Sequence, residues 1–538
     1  MGALGLLAGT AFLLLASHAL LKRLRTGSAP VDLLVFLLLF TALQSAMILL
    51  ALLTGLLSFW PLTLASAAGL AALLAAGERP PPLRSLVPKR PDSAWDRALF
   101  WGVAIAFLSF FAKLAWFSPY WGDAIMYHLP SVAEWVRAGC LVSGFFHDVR
   151  VWLPAGFQLI ETWWVVFLHH DALIELGGIQ MLAIALAAVN VLARALGLHA
   201  GFAVFTAAYI PVVSLNVTTC SNDLAVGAMV LSAFALVAAR APHAFEAFPI
   251  LLGVGIKPTA GMAAGGVILY AVLTGRSRPR PRVALLLPLL AGATLVSGFW
   301  YARNQHLTGT PFGPVFGGPG TMGHVANPNI GLENLWDTLA KFPDWARDRG
   351  IFEALAPDKT AWGWFVLGIG FPVTILSLRA SPELRRLALV FFTSWLMVLV
   401  CVEDSGQQLR YALWFPVLFA LAAARAPGRL LVTATLLAGA LNLVATVIPR
   451  ETTYVQGRED FPRDLPRDAD LAVVFEECGY CYPLYNHDYS RRLHYPRSME
   501  QLRASGARYV YVADPVPWVM PYRKWRKLGG RVYEVPRP

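Results

Sequence analysis

The feature that most constrains this chain is the repeated occurrence of apolar runs long enough to cross a bilayer. A membrane helix needs about 20 consecutive apolar residues, and the runs that begin at Leu4, Leu33 and Leu99 approach or reach that length. Hydrophobic residues make up 57% of the sequence and charged residues only 14%. Soluble chains contain about 45–50% apolar and about 25% charged residues. The sequence therefore predicts an all-α polytopic membrane protein.

The excess of basic residues is typical of membrane anchoring rather than of nucleic-acid binding. The 44 Lys and Arg residues outnumber the 33 Asp and Glu residues, which gives a net charge of +11. Many lie in short loops between apolar runs, as Arg276 and Arg282 do, and such loops are usually cytoplasmic. No basic segment precedes the first apolar run, so we expect that run to be a retained span rather than a cleaved signal. We expect an integral protein of the bacterial inner membrane.

The positions of the basic loops predict the topology. Placing those loops in the cytoplasm gives about 13–14 crossings, with the N-terminus outside. The stretch from Val151 to His169 carries Gln158 and Glu161 and is expected to form a helix at the outer interface, with a membrane crossing as the alternative. The expected parts are N-terminal helices over 1–98, a membrane core over 99–450 with external loops 118–171 and 304–360, and an extracytoplasmic domain over 451–538.

The polar C-terminal segment reads as a small α/β domain. Short strands are predicted at Leu471–Phe475, Arg508–Val512 and Arg531–Val535, because β-branched and aromatic residues are enriched there. A helix-capping box begins at Ser498, and Gly506 is expected to end that helix. The alternation of strand and helix favours an α/β arrangement.

The cysteines of the tail form a Cys-x-x-Cys pair, Cys478 and Cys481. A redox motif would require a thioredoxin-like context, and a zinc site would require a second ligand pair; neither is visible. On the outer side of a bacterial membrane a structural disulfide is favoured, and a free thiol pair is the alternative. Cys140, Cys220 and Cys401 are expected to fill apolar space.

Scattered polar residues fall on one side of the predicted topology. Because charge inside a membrane is expensive, it usually lines a cavity or a pathway. The sequence therefore predicts a water-accessible site on the external face. Its charged members would be Asp123, Asp223, Lys257, Arg303, Glu403, Asp404 and Arg410.

Several of these residues also have a purely structural interpretation. Asp223 has the residue type of a helix N-cap, and Lys257 could extend its amine to the interface. Arg410 could pair with Glu403 or Asp404 as a structural bridge. Likewise, His128 has a packing role as its simplest interpretation, and Tyr127 an anchoring role at the interface.

The run Asp123–Pro130 has the pattern D-x-x-x-Y-H-L-P, and Trp135 follows five residues after the proline. In this run and in the motifs that follow it in order, the chain resembles the GT-C membrane glycosyltransferases, of the protein mannosyltransferase and aminoarabinose transferase type. The resemblance extends from about Leu99 to Ala424. Its further marks are the aromatic-proline element Trp152–Phe157, the second acidic loop Ser221–Leu224, the G-x-x-x-K turn Gly253–Thr259, the loop Asn304–Pro314 and the R-Y element Gln408–Tyr411.

The resemblance implies an inverting transfer of a sugar from a polyprenyl-phosphate carrier to an acceptor hydroxyl. Asp123 would be the base, and Lys257 and Arg410 would neutralise the leaving phosphate. Asp223 would position the acceptor, or share a divalent metal with Asp123. The expected substrate-binding residues are Tyr127, His128, Lys257, Arg303, Glu403, Arg410 and Tyr411.

Two other classes of function compete with this hexosyl- or pentosyltransferase hypothesis. A transporter or flippase of lipid-linked glycans would use ionisable residues near the bilayer midplane and repeated halves. A non-catalytic assembly protein would bind through its external domain and would not need Asp123. The acceptor itself, whether glycan, lipid or protein, is not specified by the sequence.

Overall fold

The computed structural model shows a largely helical chain that ends in a small β-sheet domain. It describes residues 1–24, 27–78, 80, 93–116, 119, 123–143, 149–242, 245–275, 283–313, 370–401, 408–425, 427–447, 465–475, 481–513 and 516–536. The helices before the sheet domain are α1 (Gly2–Leu24), α2 (Ala29–Thr54), α3 (Phe59–Ala75), α4 (Ala94–Trp116), α5 (Leu129–Ala138), α6 (Gly156–Val166), α7 (Leu176–Ala195), α8 (Ala200–Ala208), α9 (Pro211–Ser214), α10 (Asp223–Ala238), α11 (Ala247–Ile256), α12 (Thr259–Thr274), α13 (Val283–Thr308), α14 (Phe371–Ala380), α15 (Pro382–Cys401), α16 (Trp414–Ala423) and α17 (Arg429–Val447).

Four helices among the described residues are long and apolar enough to cross a membrane. They are Gly2–Leu24, Ala29–Thr54, Ala94–Ala115 and Asp171–Ala195. A fifth span results if the bent pair Ala200–Ala208 and Pro211–Thr218, which turns by 67°, is counted as one. The chain is therefore a membrane protein with four or five such helices in its described part.

Helix α2 shows how the local sequence sets such a span. Pro30 lies in its first turn, where a missing backbone N–H costs nothing. Gly55 follows its last residue with a φ of 69°, the left-handed conformation that ends many helices. The 26 residues between these signals are enough to cross the apolar core.

The expected count of about 13–14 crossings is not confirmed. Several predicted crossings form helices well short of the required length of about 20 residues: α10 has 16, and α11 and α16 have 10 each. The predicted crossing Phe202–Val217 is broken between α8 and α9. Ile210 has a ψ of 122° there, because the residue before a proline is disfavoured in the helical region.

Helix α10 lies at the centre of the bundle. All its residues from Asp223 to Val237 are buried, and it packs against α7, α11 and α12. The segment expected at the interface forms α6, in which Trp164 is partly exposed and the other residues are buried. It packs against α2, α5 and α7, which explains why its polar Gln158 and Glu161 are inside the protein.

Two glycines allow close approach where the bundle meets its loops. A Cβ at Gly178 of α7 would lie 1.8 Å from the carbonyl oxygen of Val217, and one at Gly227 of α10 would lie 2.7 Å from Leu413 Cβ. Both distances are shorter than any ordinary contact. Gly178 therefore allows the loop before Asp223 to pack directly on α7. Gly227 allows the turn before α16 to pack directly on α10.

The C-terminal residues form one five-stranded sheet in the order β2-β1-β3-β5-β4. Strands β1 (Asp470–Val474), β2 (Arg492–His494) and β3 (Tyr509–Val512) are parallel, whereas β4 (Arg526–Gly529) and β5 (Val532–Glu534) are antiparallel. The three predicted strands are confirmed as β1, β3 and β5. Helix α18 (Met499–Ala504) begins with Ser498 Oγ accepting from Gln501 N at 3.1 Å and is followed by Gly506 at a φ of 67°, as predicted.

The sheet domain, called here the tail domain, packs on the connection between α6 and α7. The backbone N–H of Asp171 donates to the carbonyl oxygen of His487 at 3.0 Å. The Nδ1 atom of His487 lies 2.9 Å from Asp171 Oδ2, and His169 Nδ1 lies 2.9 Å from the carbonyl oxygen of Asp488. Cys478 lies outside the described residues, so the expected disulfide between Cys478 and Cys481 stays a prediction.

Candidate functional site

Three ion pairs connect four charged residues that are far apart in the sequence. Arg410 Nη1 lies 2.7 Å from Asp123 Oδ2, and Arg410 Nε lies 3.2 Å from Asp223 Oδ2. Lys257 Nζ lies 2.7 Å from Asp223 Oδ1. We call Asp123, Asp223, Lys257 and Arg410 the four-charge cluster. The structure thus brings together four of the residues that the sequence predicted to share one face.

All four charges lie at the ends of helices or in adjoining turns. Asp223 begins α10 and Lys257 follows α11, so the helix dipoles favour an acid and a base at these respective places. The full set of positions is Asp123 before the π-helical turn Ala124–His128, Asp223 in the first turn of α10, Lys257 at the end of α11, and Arg410 in the 3-10 turn Gln408–Ala412 before α16.

Burial distinguishes the two carboxylates. The side chain of Asp223 is 2% exposed, whereas that of Asp123 is 19% exposed. Asp223 contacts both cations, so it holds Lys257 and Arg410 beside each other. Asp123 contacts Arg410 and is the more accessible acid, which makes it the better placed of the two to meet a substrate.

The structure also decides between some of the structural interpretations. Asp223 is the first residue of α10 rather than its N-cap, and its carboxylate faces Lys257 and Arg410. Lys257 could have extended its amine to the membrane interface, but in the structure the amine pairs with the buried carboxylate of Asp223. The alternative partners of Arg410, Glu403 and Asp404, lie outside the described residues.

Tyr411 lies beside both cations. Lys257 Nζ is 3.7 Å from the centroid of the Tyr411 ring, and Arg410 Cζ is 5.0 Å from it. Arg410 Nη2 also donates to Tyr411 Oη at 3.2 Å. Burial opposes the charge of Arg410, but Asp223, Tyr411 and Asp123 together raise its pKa well above the ordinary value. The guanidinium therefore stays charged inside the cluster.

Tyr127 and His128 lie close to Asp123. Their ring centroids are 4.1 Å apart, and Arg150 Cζ lies 4.5 Å from the Tyr127 centroid. His128 Nδ1 contacts Gln158 Nε2 of α6. Burial lowers the pKa of His128 to about 3, against the opposing effect of Asp123. His128 is thus neutral near pH 7 and acts as a hydrogen-bonding group between Asp123 and α6.

Sequence reasoning missed Arg150 as a member of this site. The signal available was a single cation in an otherwise apolar stretch, Val149–Trp152. Gln158 gave a clearer signal, a polar residue within an apolar run, but it was assigned to an interfacial helix instead of to a contact with His128.

Arg303 lies apart from the cluster in its described contacts. Its Nη2 donates to Asn304 Oδ1 at 2.7 Å and to the carbonyl oxygen of Trp152 at 3.2 Å, and its Cζ lies 4.9 Å from the Trp300 ring centroid. Arg303 is therefore not a member of the four-charge cluster, and its expected role in substrate binding stays a prediction. Topology assigns a face to a residue, but it does not tell which neighbours its side chain reaches. Glu403 lies outside the described residues.

The donor atoms do not fit a resident divalent metal. Among the described residues there is no group of three or more His, Cys, Asp and Glu side chains arranged to hold an ion. The carboxylates of Asp123 and Asp223 instead face ammonium and guanidinium groups at 2.7–3.2 Å. A metal bound by these oxygens would be repelled by two adjacent positive charges, so no metal-dependent step follows from this site.

Comparison of the chain with protein-family models, with curated proteins and with solved structures gave no match. The resemblance to the GT-C enzymes therefore rests on the ordered motifs of the sequence alone.

Proposed function

We propose that this protein is an inverting glycosyltransferase that moves a sugar from a polyprenyl-phosphate carrier to an acceptor hydroxyl on the extracytoplasmic side of the bacterial inner membrane. The observation that carries the proposal is the four-charge cluster. In it Asp123, the more accessible carboxylate, pairs directly with Arg410 at 2.7 Å, and Asp223 joins Arg410 to Lys257 through contacts of 3.2 and 2.7 Å. A base next to a phosphate-binding pair is what this transfer requires.

The reaction assigns a separate task to each charge. Asp123 takes the proton of the acceptor hydroxyl while the acceptor oxygen bonds to the anomeric carbon. The electron pair of the breaking carbon–oxygen bond goes to the carrier phosphate, whose growing negative charge is neutralised by Arg410 and Lys257. A single displacement of this kind inverts the configuration at the anomeric carbon. Asp223 holds the two cations in place from the buried side.

The same proposal predicts that the donor changes the ion pair of Asp123 when it binds. A carboxylate beside a guanidinium is a weaker base, because the nearby positive charge favours its ionised form. A carrier phosphate competes with Asp123 for Arg410, since guanidinium groups bind phosphate by the same geometry as carboxylate. In this proposal, binding of the donor releases Asp123 from Arg410 at the moment when the acceptor must lose its proton.

The first test is Asp123→Asn in the full chain, purified into nanodiscs. Transfer from polyprenyl-phosphate-linked sugars, followed by mass spectrometry of the products, is expected to fall by about 10²–10⁴-fold, the usual contribution of a positioned base. Binding of farnesyl monophosphate is expected to persist or tighten, because Arg410 loses a competitor.

A matched binding series uses Lys257→Met and Arg410→Gln. Both are expected to weaken binding of farnesyl monophosphate, while binding of farnesol stays weak throughout. Retained farnesyl phosphate affinity in both variants, or full transfer activity of the Asp123→Asn variant, would refute the assignment. Movement of an intact lipid-linked sugar across the bilayer without transfer would favour the flippase alternative.

A further inference from the structure

The segment that carries Asp123 is held by the tail domain through a buried hydrogen bond. Residues 123–138, called here the Asp123 segment, comprise the π-helical turn and α5. Tyr485 Oη, in the 3-10 turn Tyr482–Tyr485 of the tail domain, donates to Glu134 Oε1 of α5 at 2.9 Å. The thiol of Cys481 lies 3.8 Å from the carbonyl oxygen of Met126, also within the segment.

This hydrogen bond is shielded from water and supported on both sides. Tyr485 is 0% exposed and Glu134 is 2% exposed. Glu134 Oε2 accepts a hydrogen bond from Arg137 Nη2 at 2.7 Å. Tyr485 Oη lies 2.7 Å from Tyr495 Oη. Burial, together with Tyr495 and Glu134, raises the pKa of Tyr485 well above its usual value. The phenol therefore remains a donor to Glu134.

The Asp123 segment depends on outside contacts for its position. It starts with a π-helical turn, which is a rare conformation, and α5, which follows directly, has only 10 residues. A helix of that length is marginal in isolation. Trp135 of this segment also stacks on Trp300 of α13 with ring centroids 5.9 Å apart. The segment thus contacts α6, α13 and the tail domain.

We infer that Tyr485, supported by Tyr495, is a positioning residue that fixes Asp123 relative to Arg410 through Glu134. The tail domain is then a working part of the transfer site as well as an appended domain. This inference rests on the proposed function for its catalytic consequence. The mechanical connection between Tyr485 and the Asp123 segment is independent of the reaction that the protein performs.

The chain provides a matched control in the same turn. Tyr482 is also a buried tyrosine, 2% exposed, and its hydroxyl donates to a carboxylate, Asp171 Oδ2, at 3.2 Å. Asp171, however, precedes α7 and is not part of the Asp123 segment. Tyr482→Phe therefore removes an equivalent docking hydrogen bond without touching the support of Asp123.

The experiment compares Tyr485→Phe with Tyr482→Phe in the full chain in nanodiscs. Tyr485→Phe is expected to increase hydrogen–deuterium exchange in residues 123–138 and to lower kcat about tenfold, because small displacements of a reacting group are costly. The KM for the carrier lipid is expected to stay unchanged. Tyr482→Phe is expected to change neither the exchange of this segment nor kcat.

A second pair of variants tests the route through Glu134. Glu134→Gln retains an oxygen that accepts from Tyr485 and is expected to keep most of kcat, whereas Glu134→Ala should match Tyr485→Phe. The double variant Tyr485→Phe with Glu134→Ala is expected to be no slower than the slower single variant, since both remove one interaction. Equal effects of the Tyr485 and Tyr482 substitutions on exchange, or fully additive effects in the double variant, overturn the inference. An inactive wild type with segment-specific exchange would refute only the proposed function.

Discussion

At the scale of single residues, the two acids of the four-charge cluster have different energetic roles. Asp223 is the buried counterion of both Lys257 and Arg410, whereas Asp123 is more exposed and shares Arg410 with Asp223. Removing one partner of a buried ion pair leaves an uncompensated charge, which costs much more than losing an exposed one. Substitution of Asp223 should therefore mainly lower stability, whereas substitution of Asp123 should mainly lower activity.

Asp223→Asn is expected to lower the free energy of unfolding by about 3–5 kcal/mol. Asp123→Asn is expected to lower it by less than about 1 kcal/mol, because Arg410 keeps Asp223 as its partner. Thermal unfolding of the two variants in the same detergent checks this order. A larger loss for Asp123→Asn would mean that Asp123 is the main counterion of Arg410.

His128 predicts a pH dependence of stability. Its pKa falls from 6.5 to about 3 in the folded chain, chiefly through burial. Between these values the unfolded chain binds a proton that the folded chain does not, so lowering the pH favours unfolding, by at most about 1.4 kcal/mol per pH unit. The contribution of His128 is complete above pH 6.5 and is lost progressively as the pH falls towards 3. Thermal unfolding between pH 4 and 7 should have a smaller slope for His128→Gln than for the wild type.

The sequence predicted much of the site at this scale. Counting the apolar runs between basic loops was enough to predict that Asp123, Asp223, Lys257 and Arg410 share one face. The structure brings their side chains together. The predicted side of the membrane does not give the direction of a side chain, and the role of Arg303 in substrate binding stays a prediction. The catalytic roles of these residues stay predictions.

At the scale of elements, glycines decide how closely helices and loops approach. Gly178→Ala would place a methyl group 1.8 Å from the carbonyl oxygen of Val217 and should lower the free energy of unfolding by about 1–3 kcal/mol or more. Its control is Gly292→Ala in α13, where nothing lies within 4 Å of an added Cβ and where stability should stay equal or rise by up to about 1 kcal/mol. Thermal unfolding of both variants measures the difference, and equal behaviour would contradict the packing described for α7.

The elements also show what the sequence could not give. Hydropathy located the apolar segments, but it did not give the lengths of the helices that they form, and α11 and α16 have only 10 residues each. The break before Pro211 was readable from the proline itself. In the tail domain, β2 and β4 escaped prediction because neither Arg492–His494 nor Arg526–Gly529 contains the Val, Ile, Thr, Tyr, Phe or Trp residues that mark strands.

At the scale of the whole molecule, the proposed orientation gives a direct test. Glu500 lies exposed on the tail domain, and Ala195 lies exposed at the end of α7, the end predicted to be cytoplasmic. Cysteine introduced at position 500 is expected to react with an impermeant maleimide in intact spheroplasts. Cysteine introduced at position 195 should react only after permeabilisation. Wild-type cells provide the background from the native cysteines, and the reverse pattern would move the site to the cytoplasm.

The pairing of the four-charge cluster has a consequence for how a substrate arrives. Two carboxylates and two cations sum to zero, so the cluster exerts little long-range attraction on an anionic lipid. Capture would then depend on lateral diffusion of the carrier within its leaflet and on exchange of partners at contact. Raising the ionic strength should accordingly leave the rate of donor capture almost unchanged.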